Sequence, residues 1–478
     1  MRPLANRQLG IHLLALVAFN SALFAPIMGR GFLFDDFGHL FAAGYESIGF
    51  GLTRASGGMF YAPLAYLSFK IDWLLWGPRP FPWAFTNLVI HSVNTLLVYL
   101  LARQLWRSQM GAWWAAFGFA LLFRANVGAI MNIASRAHLI VALFYLAAMH
   151  ATLSFARTER SKIPAAVAVV MFATFAMFAK ESGLTVLAAI GLLIFYERAC
   201  HRQKVAWPAV VSLLGALLVM LLFYLSLRTH SRSAPISFSG PPCCSYVLSL
   251  TLLGENILFY LWWTYGVLAL LGIAVIVSLG LRGIRPRLDS VTRYDFMFSL
   301  MLFVIATAPF ILMDWRTEAY SYLPGISAAL LLGAIMASLY QMPWPVRLRP
   351  SPLALMPVIC VVALYVAFAV MHSSKWLRMA RTNAAVLAHI AAQQPKVEPN
   401  TFITLTYAQV DSVNRFPDGF QDYSFPWALR VLYGDPTLDG KIVRQGEPSV
   451  KSDRLSEVRF FYLSGDGRRR YGDALVCS

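Results

Sequence analysis

Long, unbroken apolar runs dominate the chain, at residues 10–28, 83–106, 112–123, 139–156, 163–178, 184–196, 207–227, 257–279, 296–313, 322–340 and 353–371. A helix needs about 20 apolar residues to cross a bilayer, whereas a transmembrane strand reads as an alternation over about 10. The runs therefore predict an all-α polytopic membrane protein with about eleven transmembrane helices. From about Lys375 the pattern changes, and FITLTY (402–407) and EVRFFYL (457–463) alternate as short strands do. The chain thus divides into a polytopic part, 1–372, and a small α+β extracytoplasmic C-terminal domain, 373–478, entered by a helix over 372–390. Whether that domain caps the membrane part or binds substrate stays open at this level.

Two segments between the runs, 29–82 and 228–255, are too long to be turns, and both fall on the same side of the membrane. Within the first, YAPLAYLSFKIDWLLW (61–76) carries one Lys and one Asp among aromatic and aliphatic residues, which suits a helix lying in the interface.

Composition agrees with the pattern. The chain is 58% hydrophobic and 13% charged, with a mean hydropathy of +0.60, which excludes a soluble protein. The net charge of +17 would suggest nucleic acid in a soluble protein. With the N-terminus placed in the cytoplasm, however, the inner segments hold sixteen Lys or Arg against four acids, and the outer face of the membrane part holds ten against eight. The positive-inside rule then explains the excess, and no nucleic-acid partner is called for. An odd number of spans sends the C-terminus outside. The first run reads as a signal anchor, and the absence of any N-x-S/T sequon points to a bacterial inner membrane with a periplasmic C-terminus.

Of five cysteines, Cys200 and Cys360 read as packing residues. Cys243, Cys244 and Cys477 fall outside, where a bridge from the 243/244 pair to Cys477 is permitted.

Chemistry-bearing residues gather on that outer level. GFLFDDFGHL places Asp35, Asp36 and His39 among phenylalanines directly after the first run. Two adjacent carboxylates in such surroundings are costly to keep ionised. One could serve as a base toward an acceptor hydroxyl, the pair could hold a divalent cation, or either could cap the following helix. SRAHL brings Arg136 and His138, AKESG brings Lys180 and Glu181, and DWRTEAYSYLP brings Arg316, Glu318, Tyr320 and Tyr322. Cations beside a carboxylate suit transfer from a phosphate-linked donor, because the departing phosphate gathers negative charge. His91 shares a helix face with Asn87 and Asn94; interhelical hydrogen bonding is the simpler reading, support for the acidic pair the other.

These segments (FDDFGH, WGPRPFPWAFTNLVIHSVNTLLVY, NIASRAHLIVALFYL, FAKESGLTVL and RTEAYSYLPG), in this order over most of residues 30–330, resemble the GT-C membrane glycosyltransferases. The resemblance is to the protein O-mannosyltransferase branch and the transmembrane O-mannosyltransferases that bear tetratricopeptide repeats, although no such repeat follows the last run here. It implies a polyprenyl-phosphate sugar as donor, an inverting transfer, and a catalytic carboxylate on the first outer loop, here Asp35 or Asp36. It also implies Lys180 and Arg316 as contacts to the donor phosphate. The acceptor is left open among protein, glycan and lipid. Rival readings are a transporter or flippase of lipid-linked sugars, which needs ionisable residues deep within spans, and a non-catalytic membrane assembly protein.

Topology is directly testable. A reporter fused after Ser478 is expected to sit outside, and one inserted in 282–293 in the cytoplasm; a cytoplasmic C-terminus would reverse the face assigned to every candidate above.

Overall fold

The computed structural model describes residues 2–28, 31–54, 60–158, 162–201, 206–231, 249–281, 293–313, 315–340, 352–408, 420, 423–444, 456–463, 470–471 and 475–477. Each apolar run coincides with a helix. After α1 (Arg2–Phe24), the segment 29–82 holds α2 (Asp36–Tyr45), α3 (Ile48–Thr53) and α4 (Pro63–Trp76). The membrane part continues through α5 (Pro80–Trp106), α6 (Gln109–Leu121), α7 (Phe123–Met131), α8 (Arg136–Arg157), α9 (Ile163–Ala179), α10 (Val186–His201) and α11 (Trp207–His230). It closes with α12 (Leu250–Leu261), α13 (Val267–Leu281), α14 (Arg293–Ile311) and α15 (Gly325–Tyr340).

Six of the described helical stretches are long and apolar enough to cross a membrane, and four further apolar helices are shorter. α4 buries Ala65, Tyr66, Phe69 and Asp72 and exposes Ile71, Leu74, Leu75 and Trp76, the asymmetry expected of a helix at an interface. A π-helical turn, Trp262–Gly266, joins α12 to α13.

With lipid outside, helices gain little from apolar burial against one another and associate through small residues and shared hydrogen bonds. α6 and α15 show the first device. Gly111 and Gly333 face each other, and a Cβ on Gly333 would stand 2.7 Å from both the Gly111 carbonyl and the Ala115 Cβ. The second device recurs across the bundle. Asn20 Nδ2 donates to Thr95 Oγ1 at 3.0 Å, and Arg157 grips the fully buried Glu197 through two bonds of 2.7 Å.

The expected last span and exit helix are one unbroken helix, α16 (Pro352–Gln393), which packs on α13. Beyond it the alternating segments are strands, as read. β1 (Thr401–Ala408) pairs in parallel with β2 (Asp439–Arg444) on one side and β3 (Ser456–Leu463) on the other. β4 (Arg470–Tyr471) and β5 (Leu475–Cys477) run antiparallel to β3. Helix α17 (Phe425–Tyr433) lies between β1 and β2 in sequence and packs on β2. The Cys243/Cys244–Cys477 pairing falls outside the described side chains.

The α6–α15 crossing predicts that Gly333→Val destabilises the protein by about 1–3 kcal/mol through overpacking. Thermal unfolding of the purified protein in detergent checks this, and an unchanged midpoint would disprove the close crossing.

Candidate active site

The two adjacent carboxylates have opposite environments. Asp36 is fully buried, and both of its oxygens are taken: Oδ2 accepts from the Leu33 N–H and Oδ1 from the Ala134 N–H, each at 2.9 Å. The second bond ties the segment after α1 to the short 3₁₀ turn Ile133–Ser135 that opens into α8. Asp35, one residue earlier, is exposed and makes no side-chain capping bond at the head of α2. Between the Leu33 amide and Asp35 lies Phe34 with φ of 37°, a left-handed backbone rarely seen for an aromatic residue. Such strain persists only where neighbours over-determine it, and it concentrates at functional sites. Here α16 supplies further restraint: Trp376 meets the Phe34 ring edge-on at 5.7 Å, and Asn383 Nδ2 donates to the Phe32 carbonyl at 3.2 Å.

His39 lies one turn beyond Asp35, its ring 4.8 Å from that of Phe69. Burial holds its imidazole down at about 4; the nearby Asp35 carboxylate opposes that shift, and Lys180 and Arg136 reinforce it. Asp35 and Lys180, 145 residues apart in sequence, thus both lie within electrostatic reach of His39.

Lys180 stands on extended backbone between α9 and the 3₁₀ turn Glu181–Thr185. It is buried, with Nζ 2.9 Å from His138 Nε2. An ammonium has only donors, so His138 accepts. The Phe60 and Tyr320 rings lie 4.6 and 5.1 Å from Nζ, an aromatic wall that favours a cation. Tyr320 in turn stacks on Phe310 at 4.5 Å.

Arg136 occupies a different cluster. Fully buried, it pairs with Asp72 at 2.6 Å and donates to Asn87 Oδ1 at 2.6 Å and to the Trp83 and Ser68 carbonyls. Its guanidinium also lies over Phe69 and Trp83. These partners come from α4 and α5 and Arg136 itself opens α8, so it pins the interfacial helix to two helices of the bundle. That use of the guanidinium differs from the donor-phosphate contact expected from the sequence. Asp72, overlooked there, was legible as the lone acid of an apolar segment.

The remaining candidates separate. Glu181 pairs with Arg228 at 2.8 Å, tying the turn after α9 to the end of α11. Arg316 pairs with Glu255 at 2.8 Å at an exposed rim, and Glu318 is half-buried in the neighbouring turn. Tyr322 points elsewhere: its hydroxyl meets His91 Nδ1 at 2.8 Å and Asn94 Nδ2 at 3.1 Å, an interhelical network that accounts for His91. Among the described residues no group of three or more His, Cys, Asp or Glu gathers in a way that could hold a metal ion. With both Asp36 oxygens on backbone amides, the acidic pair is a poor chelate for the divalent cation considered above.

No family model matches the chain. It is 33% identical over 133 residues to the protein O-mannosyl-transferase Tmtc1 of Drosophila melanogaster, and 28% identical over 141 residues to the human protein O-mannosyl-transferase TMTC3. These stretches make up 28% and 29% of this chain but 15% and 14% of the relatives, so the chain spans about a seventh of their length. Among solved structures, the crystal structure of ArnT from Cupriavidus metallidurans in the apo state shares the fold, with a TM-score of 0.53 at 14% identity over 93% of this chain and 87% of that one. Sequence and fold agree that the chain resembles a GT-C membrane glycosyltransferase, mannosyltransferase-like in its motifs.

Removing one partner of a buried ion pair leaves the other charged and unpaired, at a cost of about 3–5 kcal/mol. Arg136→Met is therefore expected to lower the unfolding midpoint strongly, and Asp72→Asn in the same chain to recover part of the loss. Arg136→Met with wild-type stability would remove the pin.

Proposed function

We propose that the protein transfers a sugar from a polyprenyl-phosphate donor to an acceptor hydroxyl on the extracytoplasmic face, by a single inverting displacement, with Asp35 as the base. The acceptor oxygen gives its proton to the Asp35 carboxylate and attacks the anomeric carbon. The bond from that carbon to the phosphate oxygen breaks, and its electron pair leaves with the phosphate. A phosphate is already a good leaving group, so one carboxylate suffices and no second acid is required.

The observation that carries this reading is the division of labour in the acidic pair. Asp36 is consumed by two backbone amides, which leaves Asp35 as the carboxylate exposed to a substrate. Lys180, steadied by His138 in a buried aromatic setting, is the cation best placed to gather charge from the departing phosphate. Arg316 is a second contact, because its exposed pair with Glu255 is weak and a phosphate can displace it. The span count of eleven, the cytoplasmic N-terminus, the separate C-terminal domain and a bacterial inner membrane belong to the same proposal. The acceptor is a protein, a glycan or a lipid.

The purified protein would be assayed with a panel of polyprenyl-phosphate sugars, reading release of the sugar, alongside two variants. Asp35→Asn is expected to keep folding and donor binding and to cut turnover by about 10² to 10⁴. Asp36→Asn turns an amide donor toward one of two backbone N–H groups and should cost about 1–3 kcal/mol of stability, a different failure from that of Asp35→Asn. Full turnover by a well-folded Asp35→Asn variant would sink the assignment.

A further inference from the structure

The acidic turn is held on a second side by the C-terminal segment. α2 presents Phe37, Gly38, Phe41 and Tyr45 along one face, and α17 lies against it. Phe420 meets Phe37 at 5.4 Å, and Trp427 meets Phe41 at 5.2 Å. Gly38 leaves room for the Trp427 ring, which stands 3.9 Å from where a Cβ would be. The Arg430 guanidinium lies over Trp427 at 4.7 Å and reaches Phe41 at 5.9 Å, while its Nε donates to the Leu438 carbonyl at 2.7 Å.

α17 thus has two committed faces. Phe425, Ala428 and Leu429 are buried, with Phe425 and Leu429 packed close to Gly440 of β2, and Trp427 and Arg430 face α2. α2 itself has only 10 residues, and helices shorter than about 12–15 residues are marginal without tertiary support. Leu40 packs in the main core cluster, while Phe37, Gly38 and Phe41 meet the C-terminal segment.

We propose that the C-terminal segment is a clamp that positions the acidic turn, with Trp427 as its principal positioning residue: docked on α2, it fixes the direction in which Asp35 is presented. The inference rests on the assignment of Asp35 as the base, and it settles between capping and substrate binding in favour of a cap that acts on the reaction itself. Trp427 touches neither donor nor acceptor in this account; it acts through Phe41 and the helix axis. Removing it should therefore change the rate of the bound complex more than the affinity for either substrate.

The test uses the full chain with Trp427→Ala, Trp427→Leu, which keeps apolar volume and guards against misfolding, and Trp427→Phe. Three quantities are read: kcat and donor KM, amide hydrogen exchange over residues 36–45, and the unfolding midpoint. In Trp427→Ala, kcat is expected to fall by about tenfold or more, with donor and acceptor KM within about twofold of wild type. Exchange over 36–45 should quicken by about tenfold while α5 and α8 exchange as before. Trp427→Leu should lie between, and Trp427→Phe should restore most of both. Unchanged exchange over 36–45 in both Trp427→Ala and Trp427→Leu would overturn the clamp, even if no donor in the panel is turned over and the transferase reading itself fails. A rise confined to acceptor KM, with exchange unaltered, would overturn it in favour of a substrate contact.

Discussion

The carboxylate of Asp36 is the joint on which the site depends. One oxygen closes the Leu33–Asp36 turn and the other reaches the Ala134 amide at the mouth of α8, so a single side chain fixes a strained loop and fastens it to the bundle. Each carboxylate oxygen accepts from a backbone amide, and together the two bonds hold the left-handed Phe34 in place. The exposure of Asp35 follows from that constraint, since the same turn directs one acid inward and leaves its neighbour outside.

Around this joint the charged groups sort into those that build and those that face the site. Arg136 and Asp72, Arg157 and Glu197, and Glu181 and Arg228 are paired within the protein, and each links helices distant in sequence. Breaking such pairs costs more than forming them gains, so they act as register marks for the bundle more than as sources of stability. Lys180 has a different setting, with His138 accepting from its Nζ and the Phe60 and Tyr320 rings beside it.

The sequence disclosed the helices well because hydropathy alone decides them: each apolar run lies in a helix, and the two alternating segments are strands β1 and β3. The acidic turn was legible as a place, but the division between Asp35 and Asp36 was not. Both residues fit a base and a cap equally well, and the amide that separates them belongs to Ala134, 98 residues away. Arg136 shows the same limit. A lone cation at the head of a span reads as a phosphate contact until Asp72, on another helix, is seen beside it. The packing of α17 on α2 left no local trace either, since aromatic residues in both segments suit many partners.

α16 runs without interruption from Pro352 to Gln393, about 63 Å at the usual rise per residue. Its first half is apolar, the helix packs on α13, and its second half grips the Phe32–Phe34 turn through Asn383 and Trp376. A rod of that kind behaves as a lever. A helix answers a thicker or thinner bilayer by tilting, and with no joint at the water boundary the tilt is carried to the far end. One continuous helix thereby joins the membrane-level part of the chain to the turn that carries Asp35.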